Sequence, residues 1–65
     1  SLPLLLVFEE DLQRRNEWEV RYLLALAETG LGNTESGKKL LHEVLKLNAM
    51  HVGAKEFLDA MGEIL

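Results

Sequence analysis

The stretch LLALAETGLGNTESGKKLLHEVLKL, residues 23–47, decides the fold, because it admits two incompatible readings. Its middle, GNTESGKK at 32–39, fits the phosphate-cradling pattern G-x-x-x-x-G-K-[ST] at every letter except the last, where Lys39 stands in place of Ser or Thr. On that reading LLALAETG is a strand and KKLLHEVLKL the helix whose N–H groups face a nucleotide. On the other, two helices are joined by a turn.

The residues around the stretch favour the turn. Upstream, Asn16-Glu17-Trp18-Glu19 places a capping residue three positions before Glu, which predicts a helix starting at 17 and running to 29. Gly30 is expected to end it in the left-handed conformation, with Leu31 folded back on Leu26. Lys39 cannot coordinate the magnesium ion that a hydroxyl would hold, and no downstream strand ends in Asp. The parallel sheet beneath such a loop does not fit in 65 residues. Nucleotide binding at 32–39 is therefore a remote alternative.

The helical pattern continues on both sides. After a cap at Asn33 or Thr34, the apolar residues Leu40, Leu41, Val44, Leu45 and Leu47 recur at helical spacing, with Lys38, Lys39, Glu43 and Lys46 on the wet side. Asn48 closes that segment. Ala54, Phe57, Leu58, Met61 and Leu65 then form a further stripe. At the other end, LLLVF alone is compatible with a buried strand. Pro3 at a first helical position and the acid-before-base pairs Glu10–Arg14 and Asp11–Arg15 favour helix. Glu17–Arg21 and Glu35–Lys39 repeat that spacing. The expectation is an all-α chain of three to four helices in antiparallel hairpins, with turns near Gly30–Asn33 and Asn48–Met50. It divides into an N-terminal helix at 1–16, either capping or specific to its own family, a hairpin at 17–50, and at 51–65 either the first helix of a following unit or a C-terminal helix.

Composition narrows the function. The 48% apolar content suits a folded domain, and a chain this short leaves a large share of its surface uncovered. There is no cysteine, so no disulfide or thiolate site supports it. A net charge of −4, with seven Lys and Arg interleaved among acids, argues against nucleic acid. LPLLLVF is far shorter than the ~20 residues that span a bilayer. It also lacks a basic start and a small-residue cleavage site, so it is not a complete signal peptide; no membrane partner is expected, and the expected location is the cytoplasm. The start on Ser1-Leu2-Pro3, without Met, suggests a segment of a longer protein.

No residue set carries catalysis. His42-Glu43-Val44-Leu45-Lys46 misses the zinc motif H-E-x-x-H at its second ligand, where a lysine adds repulsion. Glu9, Glu10 and Asp11 read as the solvated end of a helix. No nucleophile, base and orienting group stand in relation. The chain is expected to be neither an enzyme nor a cofactor or metal binder. Trp18 and Tyr22, four apart on one face, read first as core and second as anchors for a partner.

Residues 22–54, YLLALAETGLGNTESGKKLLHEVLKLNAMHVGA, resemble one unit of the tetratricopeptide repeat and the start of another. Leu24 and Ala25 match the leucine and the small residue beside it. Gly32 falls in the hairpin turn, Gly37 at the helix crossing and Leu41 at the large residue after it, while LKLNA resembles the closing L-x-L-[DN]-P. Arg21, Glu28, Val44 and Ala49 depart from the usual Trp, Tyr, Ala and Pro. A shift of 34 superimposes seven apolar positions of 17–31 on 51–65, where chance gives roughly five. The resemblance implies a fragment of an α-solenoid whose first helices line a groove for an extended or helical peptide. Glu19, Tyr22, Leu26 and Thr29 are then the candidate partner-binding residues, unless segment 1–16 fills the groove. Implied partners are a protein or peptide, the rest of a parent chain, or a second copy. An uncapped end at Ile64 and Leu65 favours association.

Overall fold

A computed structural model describes residues 3–62, with side chains from residue 6 onward. It contains three helices and, among the described residues, no strand: α1 Pro3–Gly30, α2 Thr34–Leu47 and α3 Val52–Ala60. Residues 23–30, which a phosphate loop would need as a strand, lie within α1.

One correction concerns α1. The break expected at Asn16 is absent, and a single helix of 28 residues covers both segments. An N-cap requires its own backbone to be non-helical. Nothing in Leu12-Gln13-Arg14-Arg15 imposes that, since Leu, Gln and Arg all propagate a helix well. At about 1.5 Å per residue α1 is roughly 42 Å long, close to the 46 Å long axis of the molecule.

Its C-terminus corrects a second detail. Gly32, not Gly30, takes the left-handed conformation, with φ +89°. Two bonds close the cap around it. Asn33 N–H donates to the Glu28 carbonyl at 2.9 Å and Gly32 N–H to that of Thr29 at 3.0 Å, the paired bonds of a Schellman motif. Leu31 N–H still reaches the Ala27 carbonyl at 3.0 Å, which carries the turn past Gly30. Leu31 therefore points outward and does not fold onto Leu26.

α2 runs antiparallel to the C-terminal half of α1. Gly37 lies against Ala25 and Thr29, Glu43 against Arg21, and the α2 terminus at Leu47 against Arg14. A Cβ on Gly37 would collide with Thr29 Oγ1 and lie 3.4 Å from the Ala25 carbonyl, so the helices cross closely there. Asn33 occupies the N-cap position of α2, but its side chain donates to Glu28 Oε2 at 2.8 Å instead of capping. Asn48 ends α2, as expected. Its side-chain oxygen accepts from Met50 N–H and its carbonyl from His51 N–H, at 3.1 Å each, and this builds the second turn.

α3 starts from His51, whose Nδ1 accepts from Ala54 N–H at 3.0 Å. The ring also meets Tyr22 of α1, with centroids 4.6 Å apart. The core is small: Ala25, Leu41, Val44, Ala54 and Leu58 are fully buried, with Trp18, Tyr22, Leu40, Leu45, Phe57 and Met61 packed around them. The apolar stripes expected for 40–47 and 54–61 form this core. Leu65, Ile64 and the end patch expected there lie outside the described residues.

The ion pairs follow a different plan from the expected one. Arg14 Nε donates to the Leu47 carbonyl at 3.2 Å, so it caps the C-terminus of α2 instead of meeting Glu10. Arg15 turns to Glu19 at 3.1 Å and not to Asp11. Arg21 donates to the Glu17 carbonyl and reaches across to the Glu43 carboxylate at 3.2 Å. Lys38, not Lys39, approaches Glu35, at 3.6 Å. Position decides each case: Arg14 and Arg21, seven apart, share the face of α1 that meets α2, so they find partners there.

Candidate functional site

α1 has two faces of different fate. Trp18, Ala25 and Thr29, with Arg14 and Arg21, point towards α2. On the opposite side, Val20, Leu24, Ala27 and Leu31 recur at intervals of four, three and four, which is one continuous stripe of a helix. All four are exposed: Val20 is 47% accessible, Leu24 49% and Leu31 77%, and the neighbouring Leu23 is 65%. The same stripe extended towards the N-terminus runs through Glu17, Gln13 and Glu10, all exposed.

The arm of α1 before Arg14 extends beyond the end of α2. Leu6, Val7, Phe8 and Leu12 on this arm are exposed. Among the described residues no ion pair involves Glu9, Glu10 or Asp11. The three arginines of α1 are all engaged within the protein, so they do not neutralise these acids.

The four residues singled out by sequence lie along a single strip of α1, yet the structure uses them in two ways. Tyr22 is half-buried on His51, and its hydroxyl lies where a Cβ on Gly53 would stand, at 2.7 Å. Thr29 turns its Oγ1 into the crossing against Gly37, where the buried hydroxyl has no hydrogen-bond partner. Glu19 is exposed and paired with Arg15, and Leu26 is exposed. Glu19 and Leu26 are accessible, while Tyr22 and Thr29 serve the contacts with α3 and α2. Trp18 and Tyr22 both pack on the core.

The other motifs resolve into surface features. Lys39 and His42 are exposed on α2. Among the described residues no group of three His, Cys, Asp or Glu side chains gathers into a metal site. An open depression of about 180 Å³ is lined by Arg21, Glu43, Lys46 and Leu47, and its arginine and glutamate are paired with each other. No helix among the described residues is long and apolar enough to cross a membrane.

Sequence reading missed the outer stripe of α1, although a signal was present. Val20 to Leu31 is apolar nearly all round, and one neighbouring helix can cover only one side of such a helix. Comparison with protein-family models, curated proteins and solved structures finds no match to this chain.

Proposed function

We propose that the chain is a non-catalytic protein-interaction module, a tetratricopeptide-like helical hairpin with a following helix, which completes its fold against a protein or peptide. The observation that carries this reading is its surface. The accessible area is 4888 Å², whereas a compact monomer of this mass exposes about 4,200 Å². The excess accompanies exposed large apolar side chains on α1 between Leu6 and Leu26 and at Leu31 just past its end, the pattern that marks an interface. With extents of 46 × 22 × 13 Å, the molecule is elongated along α1, whose arm before Arg14 is exposed. Three helices around one small core leave the outer side of α1 uncovered, which is the condition of one unit in a repeat stack. The close crossing at Gly37 and the core positions of Ala25 and Leu41 agree with the tetratricopeptide pattern.

Selection of ligands from a random peptide display, followed by binding in solution, tests the proposal. The expected ligands bind the folded chain and lose affinity on Leu24→Glu. If selection yields none while sedimentation shows concentration-dependent self-association, the chain is instead a self-assembling structural element. A strict monomer with no ligand would remove the interaction reading altogether.

A further inference from the structure

The outer stripe of α1 is graded along its length. From Leu31 back to Val20 it is apolar, and from Glu17 back to Glu10 it is polar, with the carboxylates of Glu17 and Glu10 on either side of Gln13 and those of Glu9 and Asp11 beside it. The grading is sharpened by where the cations go. Arg14 is held by the Leu47 carbonyl, Arg21 by Glu43 and the Glu17 carbonyl, and Arg15 by Glu19. We infer that this stripe is the docking face for an amphipathic helix of a partner protein, whose contact side is apolar over one half and basic over the other. The inference rests on the interaction-module reading and specifies its surface and the chemistry of the ligand.

A second copy of the chain fits this face poorly. A parallel pairing in register sets Glu10 and Glu17 against themselves, and like charges across a helix pair are repulsive. An antiparallel pairing over the whole stripe sets Glu10 against Leu31 and Glu17 against Leu24, which removes carboxylates from water without a cation. An antiparallel pairing of the apolar part alone overlaps from Val20 to Leu31, about 16 Å of helix. That contact uses only about half the length of the stripe and leaves its carboxylates without a partner. A helix with Lys or Arg opposite the acids uses the full stripe, roughly 32 Å, and its apolar half covers Val20, Leu24 and Leu31. Charge complementarity also orients it, because reversing the helix would place its cations over leucines.

The probes are synthetic amphipathic peptides of about 21 residues, matched to the stripe. One carries Leu over half of its contact positions and Lys over the other half, made in both orders along the chain. A control replaces Lys by Glu. Binding is followed by amide chemical shifts of the full chain. The expected result is that a Lys peptide binds, perturbing Val20, Leu24, Ala27 and Leu31, and weakens at least about tenfold as ionic strength rises from about 0.05 to 0.5 M. Glu10→Lys/Glu17→Lys should weaken it by about tenfold or more and improve the Glu peptide, and Leu24→Asp should weaken both. All three positions are exposed, and unchanged far-UV circular dichroism confirms that the variants fold. Equal binding of Lys and Glu peptides, or perturbations confined to α2 and α3, would overturn the assigned face while leaving an interaction module intact. Binding of neither peptide overturns the inference as well. If the chain also finds no ligand in the peptide display and stays monomeric, the module reading falls with it. Self-association abolished by Leu24→Asp would make a second copy the occupant and overturn the partner proposed here.

Discussion

Gly37 and Thr29 meet where α1 and α2 cross, and their chemistry sets a test. Alanine at 37 gains about 0.8–1 kcal/mol of helix propensity. Its Cβ, however, occupies the place of the Thr29 hydroxyl, a β-branched side chain with few rotamers. That hydroxyl is buried and unpartnered, so removing it sacrifices no hydrogen bond. Gly37→Ala is therefore expected to destabilise the parent chain and to stabilise the Thr29→Ala variant, with a coupling of about 1 kcal/mol in a double-mutant cycle. Additive effects would mean that the two side chains do not compete. Gly37→Leu also strikes the Ala25 backbone and should cost roughly 1–3 kcal/mol, which in a domain this small lowers Tm by several degrees. His51 supplies a second residue-level test. Its Nδ1 accepts from Ala54 N–H, so the ring carries its proton on Nε2. His51→Ala should cost about 1 kcal/mol and speed hydrogen exchange at Ala54, whereas His51→Asp retains an acceptor and keeps that amide protected. At this scale the sequence was readable where a single residue could fill a role. Asn48 as a stop and Gly37 as a crossing are such positions. It was ambiguous where two residues competed for a role, as Gly30 and Gly32 did, because only the closure of the Schellman bonds chooses between them.

Helix boundaries depend on what surrounds a motif as much as on the motif. Asn16 and Glu19 have the spacing of a capping box, yet Asn16 lies in the interior of α1 and is exposed. The two roles predict opposite signs. As a cap, Asn16→Ala would cost about 1 kcal/mol. As an exposed interior residue, Asn16→Ala should stabilise by about half a kcal/mol, since Asn propagates a helix less well than Ala. Thermal melts followed by circular dichroism decide the sign, and a clear loss of stability would restore the break between 1–16 and 17–30. The stripes of α2 and α3 were legible because each helix has one buried side and one wet side. α1 was not, because its C-terminal half is apolar on both sides and periodicity cannot say which side meets α2. The arginines do say so. Arg14 and Arg21 lie seven apart on the inner face, and each ends on a group of α2. The candidate surface could be found only once that inner face was known, since it is what remains of α1.

For the whole molecule, the reach of the core divides the chain into a part that holds itself together and a part that does not. The core lies between the C-terminal half of α1, α2 and α3, and its first bond from the N-terminal side is made by Arg14. Before that residue, every described side chain of α1 is exposed. The arm therefore gains helix propensity but no tertiary packing, and an isolated helical stretch of that length is marginal in water. Deleting residues 1–12 should leave a cooperatively folded chain with Tm changed by no more than about 5 °C. The same deletion removes Glu9, Glu10 and Asp11, the acidic end of the outer stripe. Binding of the Leu/Lys peptide should then lose most of its salt dependence while its apolar half still contacts Val20, Leu24 and Leu31. A ligand that binds only the folded chain raises its stability as its concentration rises above Kd. The full chain should therefore gain more in Tm from a fixed peptide concentration than the shortened one. Loss of cooperative melting on deletion would show that the arm belongs to the core. An equal gain in Tm for both chains would show that its acids take no part in docking.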